Sequence, residues 1–110
     1  MNWNKLENIN HLNVIDEESK GGKVLILKHS TRCGISSTVV DRFERNWKDA
    51  DSKKMKPYFL DLLAHRDISN EIANRYKVVH ESPQVLLIEN GVCTYHTSQL
   101  DITCQEILKH

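Results

Sequence analysis

Cys33 and Ser36, a cysteine and a serine separated by two residues, are the side chains in this sequence best placed to carry chemistry. A buried strand is predicted just before the cysteine and a helix just after it. Unpaired N–H groups and the positive end of the helix dipole stabilise a thiolate at such a position. Arg32, with Lys28 and His29 behind it, would reinforce this if the side chains point the same way. The alternative is a small, buried and unreactive cysteine.

Ser36 stands where a dithiol oxidoreductase would carry its second cysteine. A hydroxyl can hydrogen-bond a thiolate but cannot resolve a mixed disulfide, so the spacing predicts a monothiol site that depends on another thiol for release. The C-x-x-S spacing is common by chance, but Ser82-Pro83 directly before a predicted strand supports it. Proline has no N–H for a sheet ladder, and at the first position of a strand it often marks a turn or a cis bond. An ordinary strand-start proline is the alternative.

The other cysteines and the histidines give weaker signals. Cys93 follows the pattern of a strand residue in the core, and Cys104 falls at the start of the last helix with a structural or incidental role. His65, His80 and His96 have no metal-ligand spacing with the cysteines, so no metal site is expected. Three cysteines are too few for a disulfide scaffold.

Length and charge limit the class of protein. The 110 residues predict a single domain, residues 1–110. Fifteen Lys and Arg balance fifteen Asp and Glu, which argues against a nucleic-acid binder because such a protein needs a basic excess. The longest apolar run has four residues, so no membrane partner is expected, and no leader sequence is recognised. A cytoplasmic monomer with reduced thiols is the expectation.

Hydrophobic periodicity predicts the elements that would position the site. Helices are expected over roughly 9–19 and 34–48, after a cap at Asp67, and from Thr103 onwards. Buried strands are expected at 24–27 and 58–63, and a hairpin at 85–88 and 92–95 around a type I′ turn at Asn90-Gly91. The charged segment 48–56 is interpreted as a loop. The order predicts an α/β fold: a four-stranded mixed sheet with helices on both faces.

Two segments resemble a known family. Lys28-His29-Ser30-Thr31, leading into Cys33, and Val79-His80-Glu81-Ser82-Pro83-Gln84 resemble the monothiol bacilliredoxin family of the bacillithiol system, which has the thioredoxin-like fold. The resemblance covers nearly the whole chain after about residue 22.

This resemblance implies an enzyme that takes bacillithiol off protein thiols, with Cys33 as the attacking thiolate. Its partners would be bacillithiolated client proteins, and bacillithiol would be a thiol co-substrate rather than a resident cofactor. The backbone of Ser82, held by a cis bond to Pro83, would pair with the substrate disulfide. By charge, Lys28 and Arg32 would contact the carboxylates of the malate part of bacillithiol.

One position departs from the family pattern. The family usually has proline after the cysteine, whereas this chain has Gly34. The glycine makes the motif similar to the Cys-Gly-Phe-Ser of monothiol glutaredoxins, which hold iron–sulfur clusters with glutathione. The segment Tyr95-His96-Thr97-Ser98 lacks the Gly-Gly-Asp with which glutaredoxins bind glutathione. A cluster carrier and a non-catalytic interaction module are therefore the alternatives to bacilliredoxin.

Overall fold

Five strands form one mixed sheet in the computed structural model, which describes residues 1–110. In chain order they are β1 (Asn4–Lys5), β2 (Lys23–His29), β3 (Met55–Asp61), β4 (Gln84–Glu89) and β5 (Val92–Ser98). Their order in the sheet is β1-β3-β2-β4-β5. Strands β1, β3 and β2 run parallel to one another, whereas β4 is antiparallel to both β2 and β5. The helices are α1 (His11–Glu18), α2 (Gly34–Asn46), α3 (Asp49–Lys54), α4 (Arg66–Tyr76) and α5 (Cys104–Ile107).

The central strand β2 is buried on both faces, as its continuous apolar run predicted. Successive side chains of a strand point to opposite faces, so the run divides between two cores. Val24 and Ile26 pack in the core under α1 and α4. Leu25 and Leu27 pack in the core under α2 and α5. The sheet therefore carries helices on both faces, as predicted, and the carboxyl end of β2 leads directly towards α2.

The hairpin and the final helix form where the sequence placed them. Asn90 and Gly91 both have positive φ, 50° and 74°, as a type I′ turn requires. Thr103 is the N-cap of α5, and its hydroxyl accepts a hydrogen bond from the N–H of Glu106 at 3.2 Å. The predicted type I′ turn and the predicted start of the last helix are both confirmed.

The predicted strand count of four is wrong by one. The additional strand β1 has only two residues, both exposed, so it carries no hydrophobic pattern. It is held by backbone pairing: the N–H of Leu6, just beyond β1, donates to the carbonyl of Phe59 at 2.9 Å. The side-chain amide of Asn4 donates to the carbonyl of Pro57 at 3.0 Å.

The interpretation of residues 48–56 as a loop is also wrong. They form α3 and the start of β3. The buried carboxylate of Asp51 accepts a hydrogen bond from the Lys48 N–H at 2.9 Å and so caps α3. Asp67 lies in the first turn of α4, and His65 occupies the N-cap position. None of the helices is long and apolar enough to cross a membrane.

Candidate active site

Cys33 is the N-cap residue of α2, at the carboxyl end of the central strand. Its backbone is extended, with φ −97° and ψ 122°, and its N–H donates to the Ser30 carbonyl at 3.1 Å. The Cys33 carbonyl accepts the first bond of the helix, from the Ser37 N–H at 3.0 Å. The half-buried side chain is a free thiol. The predicted position between strand and helix is confirmed.

Ser36 is fully buried, and its hydroxyl lies against His29 rather than Cys33. Its Oγ is 2.6 Å from His29 Nδ1 and accepts a hydrogen bond from the Ser30 N–H at 3.2 Å. Burial lowers the pKa of His29, although the nearby carboxylates Asp61, Glu44 and Asp41 oppose this. With its pKa lowered, the imidazole is mainly neutral at pH 7. The Ser36 Oγ already accepts from the Ser30 N–H, and His29 Nδ1 is the only acceptor bonded to its hydroxyl, so we assign Ser36 as the donor of this hydrogen bond. The Ser36 hydroxyl proton is therefore not available to the Cys33 thiolate.

Lys28 does not reach the surface. Its side chain is 0% exposed, on the face of the sheet covered by α4. The ammonium Nζ lies 3.3 Å from the Ser69 carbonyl and 3.4 Å from His80 Nδ1. Burial lowers the pKa of Lys28 to about 8. This burial contradicts the predicted contact with a substrate carboxylate, because the Lys28 ammonium is enclosed against Ser69 and His80. His29 does not supply the expected positive charge either, because its imidazole is mainly neutral at pH 7.

The segment Ser82-Pro83 lies at the same end of the sheet as Cys33, where β2 ends and β4 begins. Gln84, the first residue of β4, pairs with Lys28 near the end of β2, so the two loops leave neighbouring strands side by side. The Ser82–Pro83 peptide bond is cis, and the Pro83 carbonyl accepts from the Gln99 N–H at 2.9 Å. Arg32 is exposed, and its side chain makes no ion pair or hydrogen bond within the protein.

The thiols of Cys93 and Cys104 each form a hydrogen bond to a backbone carbonyl. Cys104 Sγ lies 3.2 Å from the Phe43 carbonyl, and burial raises the pKa of this thiol to about 11. Cys93 Sγ lies 3.3 Å from the Tyr95 carbonyl, and burial raises its pKa as well. Both stay protonated at neutral pH, whereas Cys33 donates to no acceptor. No group of His, Cys, Asp and Glu side chains is arranged to hold a metal ion.

The roles of His29, Ser69 and His80 were not predicted from the sequence. His29 and Ser36 are seven positions apart in a strand and a helix, and Lys28 contacts residues more than forty positions away. Pairings of this kind depend on tertiary packing and have no local pattern. One signal was present: Lys28 directly follows a run buried on both faces, so its own burial could have been expected.

The fold and the single available thiol at the start of α2 define a class, the thioredoxin-fold thiol oxidoreductases. A solved structure of a proposed oxidoreductase with a thioredoxin fold is 32% identical, with a TM-score of 0.80, over 96% of this chain and 89% of that chain. The thioredoxin of Malassezia sympodialis (Mala s 13) is 16% identical, with a TM-score of 0.75, over 98% of this chain and 86% of its own. The thioredoxin of Fasciola hepatica is also 16% identical, with a TM-score of 0.69, over 96% and 91%. The family model for monothiol bacilliredoxin BrxC matches residues 4–107, and the chain belongs to that family.

The departure at Gly34 can be tested by restoring the proline. Gly34 is the first residue of α2, its N–H donates no hydrogen bond, and an added Cβ would meet no atom within 4 Å. Cys33 already has the extended backbone that a residue before proline adopts. We expect Gly34→Pro to raise the free energy of unfolding by about 0.4–1 kcal/mol, because proline restricts the unfolded chain. Urea denaturation measures this, and a loss of stability would contradict the assigned helix start.

Proposed function

We propose that this protein removes bacillithiol from mixed disulfides with protein cysteines, with Cys33 as the attacking thiolate. The observation that carries the proposal is the state of the three thiols. Cys33 is half-buried at a helix N-terminus, and its thiol makes no hydrogen bond within the protein. Cys93 and Cys104 stay protonated because burial raises the pKa of both thiols. Membership of the monothiol bacilliredoxin family favours this function over the two alternatives that the sequence left open.

The reaction is a thiol–disulfide exchange. The Cys33 thiolate attacks the bacillithiol sulfur of the mixed disulfide, and a new disulfide forms between Cys33 and bacillithiol. The bond to the client breaks, and the client cysteine leaves as a thiolate with the electron pair of that bond. No second protein thiol is present at position 36, so a second small thiol must attack the bacillithiol sulfur and regenerate Cys33.

Backbone groups near the thiol would hold the client. The Ser82 loop leaves the sheet beside Cys33, where the N–H and carbonyl of Ser82 can pair with an extended segment, as a strand pairs with a sheet edge. Arg32 is the exposed cation nearest to Cys33 in sequence and remains our candidate for a carboxylate of bacillithiol. Lys28 has no place in this binding scheme because it is buried.

Mass spectrometry tests the proposal directly. The protein is mixed with a client carrying bacillithiol on a single cysteine, in the absence of other thiols. We expect the mass of one bacillithiol to move from the client to Cys33, in a peptide that includes α2. The Cys33→Ser variant should accept none, and the Cys93→Ser variant should accept as much as the wild type. Transfer that persists without Cys33, or no transfer at all, would contradict the proposed function.

A further inference from the structure

A cavity of about 340 Å³ lies beside the candidate active site. Its wall includes Thr31 and Ser37, which lie on either side of Cys33 in the sequence. The Ser37 N–H bonds to the Cys33 carbonyl at 3.0 Å, so the wall is within one helical turn of the thiol-bearing residue. The cavity also contacts Phe59 of β3. It therefore lies towards the β3 side of the central strand, whereas the Ser82 loop leads into β4 on the other side.

His29 places one polar group at this cavity. The side chain is only 8% exposed and lines the cavity. Its Nδ1 is engaged by Ser36 at 2.6 Å, and its Nε2 makes no hydrogen bond within the protein. Since the Ser36 hydroxyl donates to Nδ1, the ring hydrogen of the neutral imidazole is on Nε2. A histidine that is more than nine-tenths buried thus retains one unused N–H donor at the cavity.

The charged groups in the wall favour a ligand of mixed character. The Asp41 carboxylate is exposed and makes no ion pair or hydrogen bond, so it is free to bind an amine. Glu44 accepts a hydrogen bond from Trp3 Nε1 at 2.8 Å, which fixes the indole beside the cavity. Lys5 adds a cation, and Phe59 adds an apolar ring face. The volume is at the lower end of the range for small-molecule sites.

We propose that this cavity binds the part of the small thiol beyond its sulfur, a hydroxyl-bearing group with an amine and carboxylates. The proposal rests on the proposed function and names the recognition site for its co-substrate. Asp41 would pair with the amine, Lys5 with a carboxylate, and the His29 Nε2–H would donate to a sugar or amide oxygen. Bacillithiol carries all of these groups. Cys33 would then lie between a client site on the β4 side and a small-thiol site on the β3 side.

The test compares two adducts of the same client cysteine, one with bacillithiol and one with 2-mercaptoethanol, which lacks the amine, the sugar and the carboxylates. The measured quantity is the ratio of kcat/KM for the two adducts. We expect Asp41→Asn to lower this ratio by about fivefold to tenfold, because one charge-assisted hydrogen bond is lost. The matched control is Asp101→Asn, which removes an exposed carboxylate outside the cavity and should leave the ratio unchanged.

A second measurement does not depend on turnover. S-methyl bacillithiol cannot exchange, so its binding to the wild-type protein can be followed by amide chemical shifts. We expect shifts at Thr31 and Ser37, reduced in the Asp41→Asn variant. An unchanged ratio together with no shifts at these residues would overturn the cavity assignment while leaving the proposed function intact. If the wild type exchanged neither adduct, the proposed function itself would fail.

Discussion

Replacing Ser36 with cysteine is expected to convert the monothiol site into a dithiol site. Position 36 is three residues after the helix N-cap, so its side chain is one turn from Cys33 on a neighbouring part of the helix surface. The introduced thiol would also lie next to His29 Nδ1, in the place of the Ser36 hydroxyl. After transfer of a small thiol to Cys33, the new thiolate would attack Cys33 and release that small thiol. Release of the small thiol would then not depend on an added thiol, and the internal disulfide left behind would have to be reduced before the next turnover.

Thiol titration and mass spectrometry measure this conversion. The wild type has three free cysteines, and mild oxidation should leave all three titratable. The Ser36→Cys variant should lose two thiols and the mass of two hydrogens. The matched control is Ser37→Cys, the next position along the helix, which should keep its thiols. If Ser36→Cys also keeps its thiols, the side chain at position 36 does not reach Cys33, and the expected conversion to a dithiol site is wrong.

The Lys28→Met variant is expected to be more stable than the wild type at pH 7, by about 2–3 kcal/mol. Burial lowers the pKa of Lys28 from 10.5 to about 8, and a change of that size corresponds to about 3 kcal/mol of unfavourable free energy for the charged form. At pH 7 Lys28 is mainly protonated in both the folded and the unfolded chain, so the folded state bears nearly the full cost. Methionine fills a similar volume without a charge.

The stability difference between Lys28→Met and the wild type is expected to depend on pH. Above about pH 8 the folded protein loses the Lys28 proton, whereas the unfolded chain keeps it up to 10.5. The unfolded state then binds more protons, so wild-type stability rises with pH in this window. The advantage of Lys28→Met should shrink by about 2 kcal/mol between pH 7 and pH 9.5. Urea denaturation at the two pH values measures it, with Lys23→Met on the same strand as control. A variant less stable than wild type at both values would contradict this account.

Elements with a strong local pattern could be predicted from the sequence. The run Val24–Leu27 is typical of a strand covered on both faces, and the Asn90-Gly91 pair is typical of a turn, and the structure has both. Both features depend only on neighbouring residues. Cys33 could be placed for the same reason, because the end of a strand and the start of a helix are local signals. The two-residue β1 could not, since it is held by backbone pairing and its side chains are exposed.

The interior of the site depended on contacts between distant segments. The hydroxyl of Ser36 was expected to serve Cys33, but the fold brings a histidine and a backbone N–H to it instead. The charge of Lys28 suggested a surface role, because lysine is almost never fully buried unless it has a partner. Its partners are on α4 and in the segment before β4, which only the folded chain brings together.

The proline in β3 bears on whether molecules of this protein associate through their sheets. Phe59 directs its carbonyl to the β1 side, and so does Pro57, two residues earlier. β1 pairs only with Tyr58 and Phe59, which leaves the beginning of β3 as the open rim of the sheet. An approaching strand would find no N–H donor at Pro57 and a carbonyl already bound by Asn4. The rim therefore cannot template strand addition at this position, which removes one site of edge-to-edge aggregation.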